Sequence, residues 1–242
     1  MAIQKSLIRN PLVVALDVDT EGQALALVDQ LHDIVGCFKI GPRLLINGGP
    51  RLVEKISDAA PVFLDHKFFD IPSTMTSAIR AAFDCGVSLA TIHLLSGTTA
   101  IRELVQLEKE LNNKRPFKLL GVSILTSWSE ADYPPVFQGT VTGENVNQLA
   151  LFGKGLGLSG FVCSGHELGL LADSGVDRDQ GDFLLVPGVR RKQDVANDQS
   201  RTVTPAQAIQ NGASAIVVGR PIIAAANPRE VAAEIAAEVF RL

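Results

Sequence analysis

The amino-acid sequence predicts a (β/α)₈ barrel, an α/β fold built as a single domain over residues 1–242. Three observations carry that prediction. Eight short apolar or β-branched runs recur along the chain with helical patterns between them. Most runs are continuously apolar rather than alternating, as parallel strands are when both faces of the sheet are covered. Polar and charged residues concentrate where the runs end, and that edge is where a barrel of this kind keeps its chemistry. An open, doubly wound sheet has the same alternation, but its strand ends would not converge on one point. No composition shift or Gly/Ser/Pro-rich linker divides the chain.

The elements follow in order. Leu12 to Leu16 is the first strand and ends at Asp17, and apolar residues at helical spacing run from Glu21 to Leu31. The second strand, Cys37 to Ile40, carries Lys39 at its end. Val62 to Leu64 leads into Asp65 and Lys67, with a helix expected from Thr74 to Cys85. Leu89 to His93 precedes a helix from Thr98 to Leu111, and Leu119 to Leu125 runs into Thr126 ahead of a helix from Asn145 to Leu156. Gly160 to Cys163 and Phe183 to Val186 are the sixth and seventh strands, with Arg190 just beyond the seventh. A helix from Pro205 to Asn211, the strand Ala215 to Val218 with Gly219 and Arg220 after it, and a helix from Pro228 to Phe240 complete the pattern.

Composition narrows the function. Lys and Arg total 22 against 26 Asp and Glu, a net charge of −4, with no basic tract, so nucleic acid is not an expected partner. The three cysteines form no CxxC pair and are odd in number, which argues for a reducing compartment and against a disulfide framework or a zinc site. His32 and His166 have no second ligand at metal spacing, so no metal is expected. The first ten residues lack the apolar core of a signal peptide, and Arg220 interrupts the longest apolar stretch. A soluble, cytoplasmic protein without a membrane partner is the expectation.

The densest chemistry lies at the third strand end, where Asp65 and Lys67 share one face and His66 takes the other. If Lys39 and Asp70 join them, two ammonium and two carboxylate groups form a set in which pairing keeps every member ionised. Ordinary ion pairing accounts for Asp65 and Lys67 as well as catalysis does, so both readings stand at this point. At the eighth strand end, Val218-Gly219-Arg220-Pro221 runs from strand to glycine to arginine to a proline suited to a first helical turn. Glycine lets the backbone approach an anion and arginine grips phosphate oxygens in a fork. The polar stretch from Gly188 to Arg201 is long for a strand-to-helix connection and suggests a lid beside that phosphate site, with Arg190 as the fixed ligand. His93 and His66 are read as packed or structural, and Trp128 as a residue that covers the site or packs against the rim.

Taken together, Ala15-Leu16-Asp17, Lys39, the run Asp65 to Thr74, Leu125-Thr126-Ser127, Val186 to Arg190, Gln199 and Gly219-Arg220-Pro221 resemble the bacterial type of the orotidine 5′-phosphate decarboxylase family in content and order. The resemblance spans almost the whole chain. It implies a cofactor-free conversion of orotidine 5′-phosphate to UMP, the last step of pyrimidine nucleotide synthesis, in a homodimeric barrel. It further implies Lys67 as proton donor to pyrimidine C6, Asp65 beside the departing carboxylate, and Lys39 and Asp70 completing the charge network. Asp17 and Lys39 would hold the ribose, Thr126 the pyrimidine, and Arg190, Gln199, Gly219 and Arg220 the phosphate. Ile71 and Pro72 belong to the substrate-binding motif, and Asp70 and Thr74 would reach into the neighbouring subunit's site.

Ser73 stands where the family usually has asparagine and Phe69 where it usually has histidine; neither change removes a catalytic group. Two other functions fit parts of the pattern. A metal-dependent sugar-phosphate decarboxylase or aldolase shares Asp-x-Lys-x-x-Asp but needs magnesium, and a non-catalytic nucleotide-phosphate binder needs the phosphate site without Lys67. The segment Ile71-Pro72-x-Thr74, Thr126 and Gln199 favour the nucleotide enzyme.

Overall fold

Eight parallel strands close on themselves in sequence order: β1 (Leu12–Ala15), β2 (Cys37–Ile40), β3 (Val62–Phe68), β4 (Val87–His93), β5 (Lys118–Val122), β6 (Gly160–Val162), β7 (Phe183–Val186) and β8 (Ala215–Val218), with β8 pairing back onto β1. This is the (β/α)₈ barrel expected from the sequence. The computed structural model describes residues 7–125, 128, 133–134, 142–191 and 203–240. Thr126, Gln199 and most of the stretch read as a lid lie outside them.

Alternation along each strand divides the apolar residues between two cores. Leu12 and Val14 of β1, Phe38 of β2, Val62 and Leu64 of β3 and Ile216 of β8 point outward and pack with the helices. Val13, Cys37, Phe63, Leu89, Leu120, Leu185 and Val217 point inward and fill the barrel, and Ile8 joins them from the N-terminal segment. Register then decides what stands at the mouth. Ala15 pairs with Lys39 and Lys39 with Phe63, so an ammonium and a small side chain follow directly above the apolar layer. A filled lower barrel beneath a polar upper rim is the division this fold uses for stability and chemistry.

The helices are α1 (Glu21–Leu31), α2 (Pro42–Ala59), α3 (Pro72–Asp84), α4 (Gly97–Asn112), α5 (Thr142–Gly155), α6 (Leu168–Asp173), α7 (Pro205–Gln210), α8 (Arg220–Ile223) and α9 (Pro228–Phe240). Thr20 and Thr204 start α1 and α7 with reciprocal capping boxes to Gln23 and Gln207. Prolines at the first turns of α2, α3, α7 and α8 occupy positions where the missing N–H is not needed. Three helices escaped the periodicity: α2, α6 and the four-residue α8, which only Pro221 announces. The first is kinked at Gly49 (φ 63°, ψ −169°), ahead of Pro50, so neither half shows a long repeat. The second is six residues long, too short to display one.

Strand β3 is longer than its apolar run. It continues through Asp65, His66 and Lys67 to Phe68, and its pairing with β4 shifts register there: Leu64 faces Ala90 and Phe68 faces Ile92. Three residues therefore lie opposite Thr91 alone. Lys67 absorbs the excess with φ 50°, the one non-glycine residue at positive φ among those described.

Candidate active site

A cavity of about 470 Å³ opens at the carboxyl ends of the strands, a size suited to a small ligand. Its floor is apolar, from Phe63, Val162, Leu185 and Val217, and Ile124 and Val122 form one wall. Asp17, Lys39, Asp65 and Lys67 stand along one side, and Gly188, Arg190, Gly219 and Arg220 along another. The expected charge pair and phosphate group thus face a common space.

Within the charged group the links are direct. Lys67 Nζ donates to Asp65 Oδ1 at 2.8 Å. Lys39 Nζ sits between two carboxylates, 3.1 Å from Asp17 Oδ1 and 3.7 Å from Asp65 Oδ2. The Lys39 side chain is only 12% exposed and that of Asp65 19%, so their pairing is less screened by water than a surface bridge. In one chain the set of two ammonium and two carboxylate groups is closed by Asp17, not by Asp70.

Asp70 is exposed and its carboxylate accepts the neighbouring Ile71 N–H at 2.7 Å. Neither it nor Ile71, Pro72 or Thr74 lines this cavity. The pocket-side charges do face a second depression of about 330 Å³, bounded by Asp17, Lys39, Asp65, Lys67, Pro42 and Arg43.

On the side expected to hold phosphate, Gly219 has φ −112° and ψ −103°, and a Cβ there would meet Ala15 Cβ and Asp17 Oδ2 at 3.4 Å. Helix α8 after it has only four residues, so its dipole is slight, and half-buried Gly219 lines the cavity together with Arg190 and Arg220. The Arg190 backbone N–H donates to Val203 O at 3.0 Å, which ties the residues after β7 to those before α7.

Sequence reading did not single out Thr91. This fully buried residue of β4 accepts the Lys67 N–H at 2.8 Å and donates to Asp65 Oδ1 at 3.2 Å. The available signal was a hydroxyl two residues after Leu89, on the inward face of β4. His93, two residues on, does not line the cavity; its Nδ1 accepts the Leu95 N–H at 3.3 Å and its ring stacks on Phe69 at 5.3 Å. Burial, and secondarily the charge of Lys67, hold its pKa below the ordinary 6.5. Exposed His66 tilts against Phe68, and Trp128 packs on the outer core and Tyr133. Among the described residues no three His, Cys, Asp or Glu side chains come together as a metal-ligand group, and no helix is long and apolar enough to cross a membrane.

The model of the orotidine 5′-phosphate decarboxylase / HUMPS family matches residues 10–235. The chain belongs to this family. A relative named orotidine 5′-phosphate decarboxylase from Rhodospirillum rubrum is 38% identical, covering 96% of this chain and 94% of its own length. One of the same name from Nostoc is 41% identical over 90% of this chain and 92% of its own. A crystal structure of orotidine 5′-phosphate decarboxylase from Lactobacillus acidophilus superposes with a TM-score of 0.81 at 30% identity, covering 95% of this chain and 99% of that one.

Proposed function

We propose that this chain decarboxylates orotidine 5′-phosphate to UMP and CO₂. The observation that carries the reading is the Asp65–Lys67–Lys39–Asp17 array standing across one cavity from Gly219, Arg190 and Arg220. The family description joins two names, and relatives at 36 to 41% identity carry the decarboxylase name, which favours that activity over the sugar-phosphate one.

The chemistry follows from the residue types. The bond from C6 to the carboxylate carbon breaks, CO₂ leaves, and the electron pair stays on C6 with little delocalisation. A fixed positive charge beside C6 stabilises that charge as it develops, and Lys67 supplies it. Its ammonium then gives a proton to C6, and the amine regains one from water. Asp65 keeps the ammonium aimed through its 2.8 Å bond. Asp17 and Lys39 are assigned to the ribose hydroxyls. Arg190, Gly219 and Arg220 hold the phosphate, and binding at that remote group helps fix the reacting ring against the charges. By family resemblance Thr126 serves the pyrimidine and Gln199 the phosphate.

We further propose a homodimer in which Asp70 and Thr74 enter the neighbour's site beside Lys39 and Lys67, with Ile71 and Pro72 carrying them. Two features support it: exposed Phe69 and Ile71 flank Asp70, and the 330 Å³ depression reaches the charges without Arg190, Gly219 or Arg220 in its lining. The test of the activity is loss of the orotidine chromophore on incubation of orotidine 5′-phosphate with the protein and chelator. Conversion is expected; persistence of the substrate across salt and pH would overturn the reading, in favour of the sugar-phosphate enzyme if a sugar phosphate is turned over with added magnesium and of a binder if it is not.

A further inference from the structure

We infer that Thr91 is a positioning residue, whose hydroxyl holds Lys67 in its left-handed backbone conformation and ties the Asp65 carboxylate to it. The inference rests on the reading of Lys67 as proton donor. Its ground is the bulge between β3 and β4. Leu64 pairs with Ala90 and Phe68 with Ile92, so Asp65, His66 and Lys67 all stand opposite one residue, Thr91. A ladder that slips in this way leaves backbone groups of the longer strand without their regular partners. The Lys67 N–H is instead taken up by Thr91 Oγ1 at 2.8 Å.

The same oxygen has one proton to give, and it goes to Asp65 Oδ1 at 3.2 Å. Because that hydroxyl accepts from Lys67 and donates to Asp65, its orientation is fixed by both ends of the bulge. Asp65 Oδ1 also receives Lys67 Nζ at 2.8 Å. Backbone of Lys67, hydroxyl of Thr91, carboxylate of Asp65 and ammonium of Lys67 therefore form a closed ring. Thr91 is 0% exposed, so water has no ready access to replace the hydroxyl. A side chain at φ 50° is sterically disfavoured and persists only where its surroundings over-determine it. This ring supplies that determination, and it sets where the Lys67 ammonium points.

Two substitutions separate positioning from packing. Thr91→Val keeps the shape and removes the hydroxyl, whereas Thr91→Ser keeps the hydroxyl and removes a methyl. Thr91→Val is expected to lower kcat by about 10- to 100-fold, with KM and UMP affinity within about threefold of wild type. Thr91→Ser is expected to keep kcat within about threefold. Wild-type kcat in folded Thr91→Val, or equal losses in the two variants, would overturn the inference. Should Thr91→Val not fold, Thr91→Cys, a much weaker hydrogen-bonding group, replaces it in the same comparison.

Wild-type protein in the same assay keeps the two claims apart, since its inactivity would count against the proposed reaction alone. The crystal structure of the hydroxyl-free variant then tests positioning without turnover. Lys67 is expected to leave the left-handed region there, and its persistence near φ 50° would contradict the role.

Discussion

Lys67 is asked to supply both the charge that stabilises the C6 carbanion and the proton that ends it. Its Nζ is held 2.8 Å from Asp65, on a side chain that is 39% exposed and faces the cavity. Lys67→Ala should therefore lower kcat by at least about 10⁴-fold while UMP still binds, as read by steady-state kinetics and calorimetry. Retention of substantial turnover would remove Lys67 from its assigned role. His93 offers an independent readout of the same charge. Burial first, and Lys67 second, depress its pKa below 6.5, so the folded chain binds fewer protons at this site than the unfolded chain. Its contribution to stability is thus present above the unfolded value and is lost as pH falls from about 6.5 through the folded-state pKa. An NMR titration should place His93 below an ordinary histidine, and Lys67→Ala should raise it part of the way back. An unchanged His93 titration in that variant would mean that the ammonium does not act on the ring.

Among the elements, close backbone approaches show where the barrel tolerates no addition. A Cβ on Gly36 would lie 1.9 Å from Asn10 O, where the segment entering β1 crosses the one entering β2. Gly36→Ala should destabilise the fold by about 1–3 kcal/mol, because a backbone oxygen cannot step aside. Gly22 in α1 has open space around it, so Gly22→Ala should leave the melting temperature unchanged or higher. All eight strands were legible, since an apolar run bounded by charge survives any turn chemistry around it. The positions of Asp17, Lys39, Asp65 and Lys67 at one mouth followed from the fold and the period of two. Helix α2 was not legible because Gly48, Gly49 and Pro50 interrupt its pattern. Thr91 was not, because a threonine in a strand ordinarily signals only β-branched packing. The left-handed backbone of Lys67 had no sequence signal either, since only glycine and asparagine advertise that conformation.

For the whole molecule, the proposal divides each site between two subunits and spans it from phosphate to charge array. Mixing inactive Lys67→Ala and Asp70→Ala subunits should restore activity, because a heterodimer holds one site with both residues intact. Absence of any recovery in a verified heterodimer would place Asp70 outside the neighbour's site. At the other end, removal of the phosphate from the substrate should reduce kcat/KM severely, and Arg220→Ala should weaken UMP binding more than it weakens uridine binding. The central claim joins these ends: a bound nucleotide loses CO₂ and takes its C6 proton from Lys67. It is tested most directly by incubating orotidine 5′-phosphate with the protein in chelator-treated D₂O and reading C6 of the product by NMR. The account predicts UMP carrying deuterium at C6 from wild-type protein and none formed by Lys67→Ala; unconverted substrate with the wild type, or equal conversion by both, would contradict it.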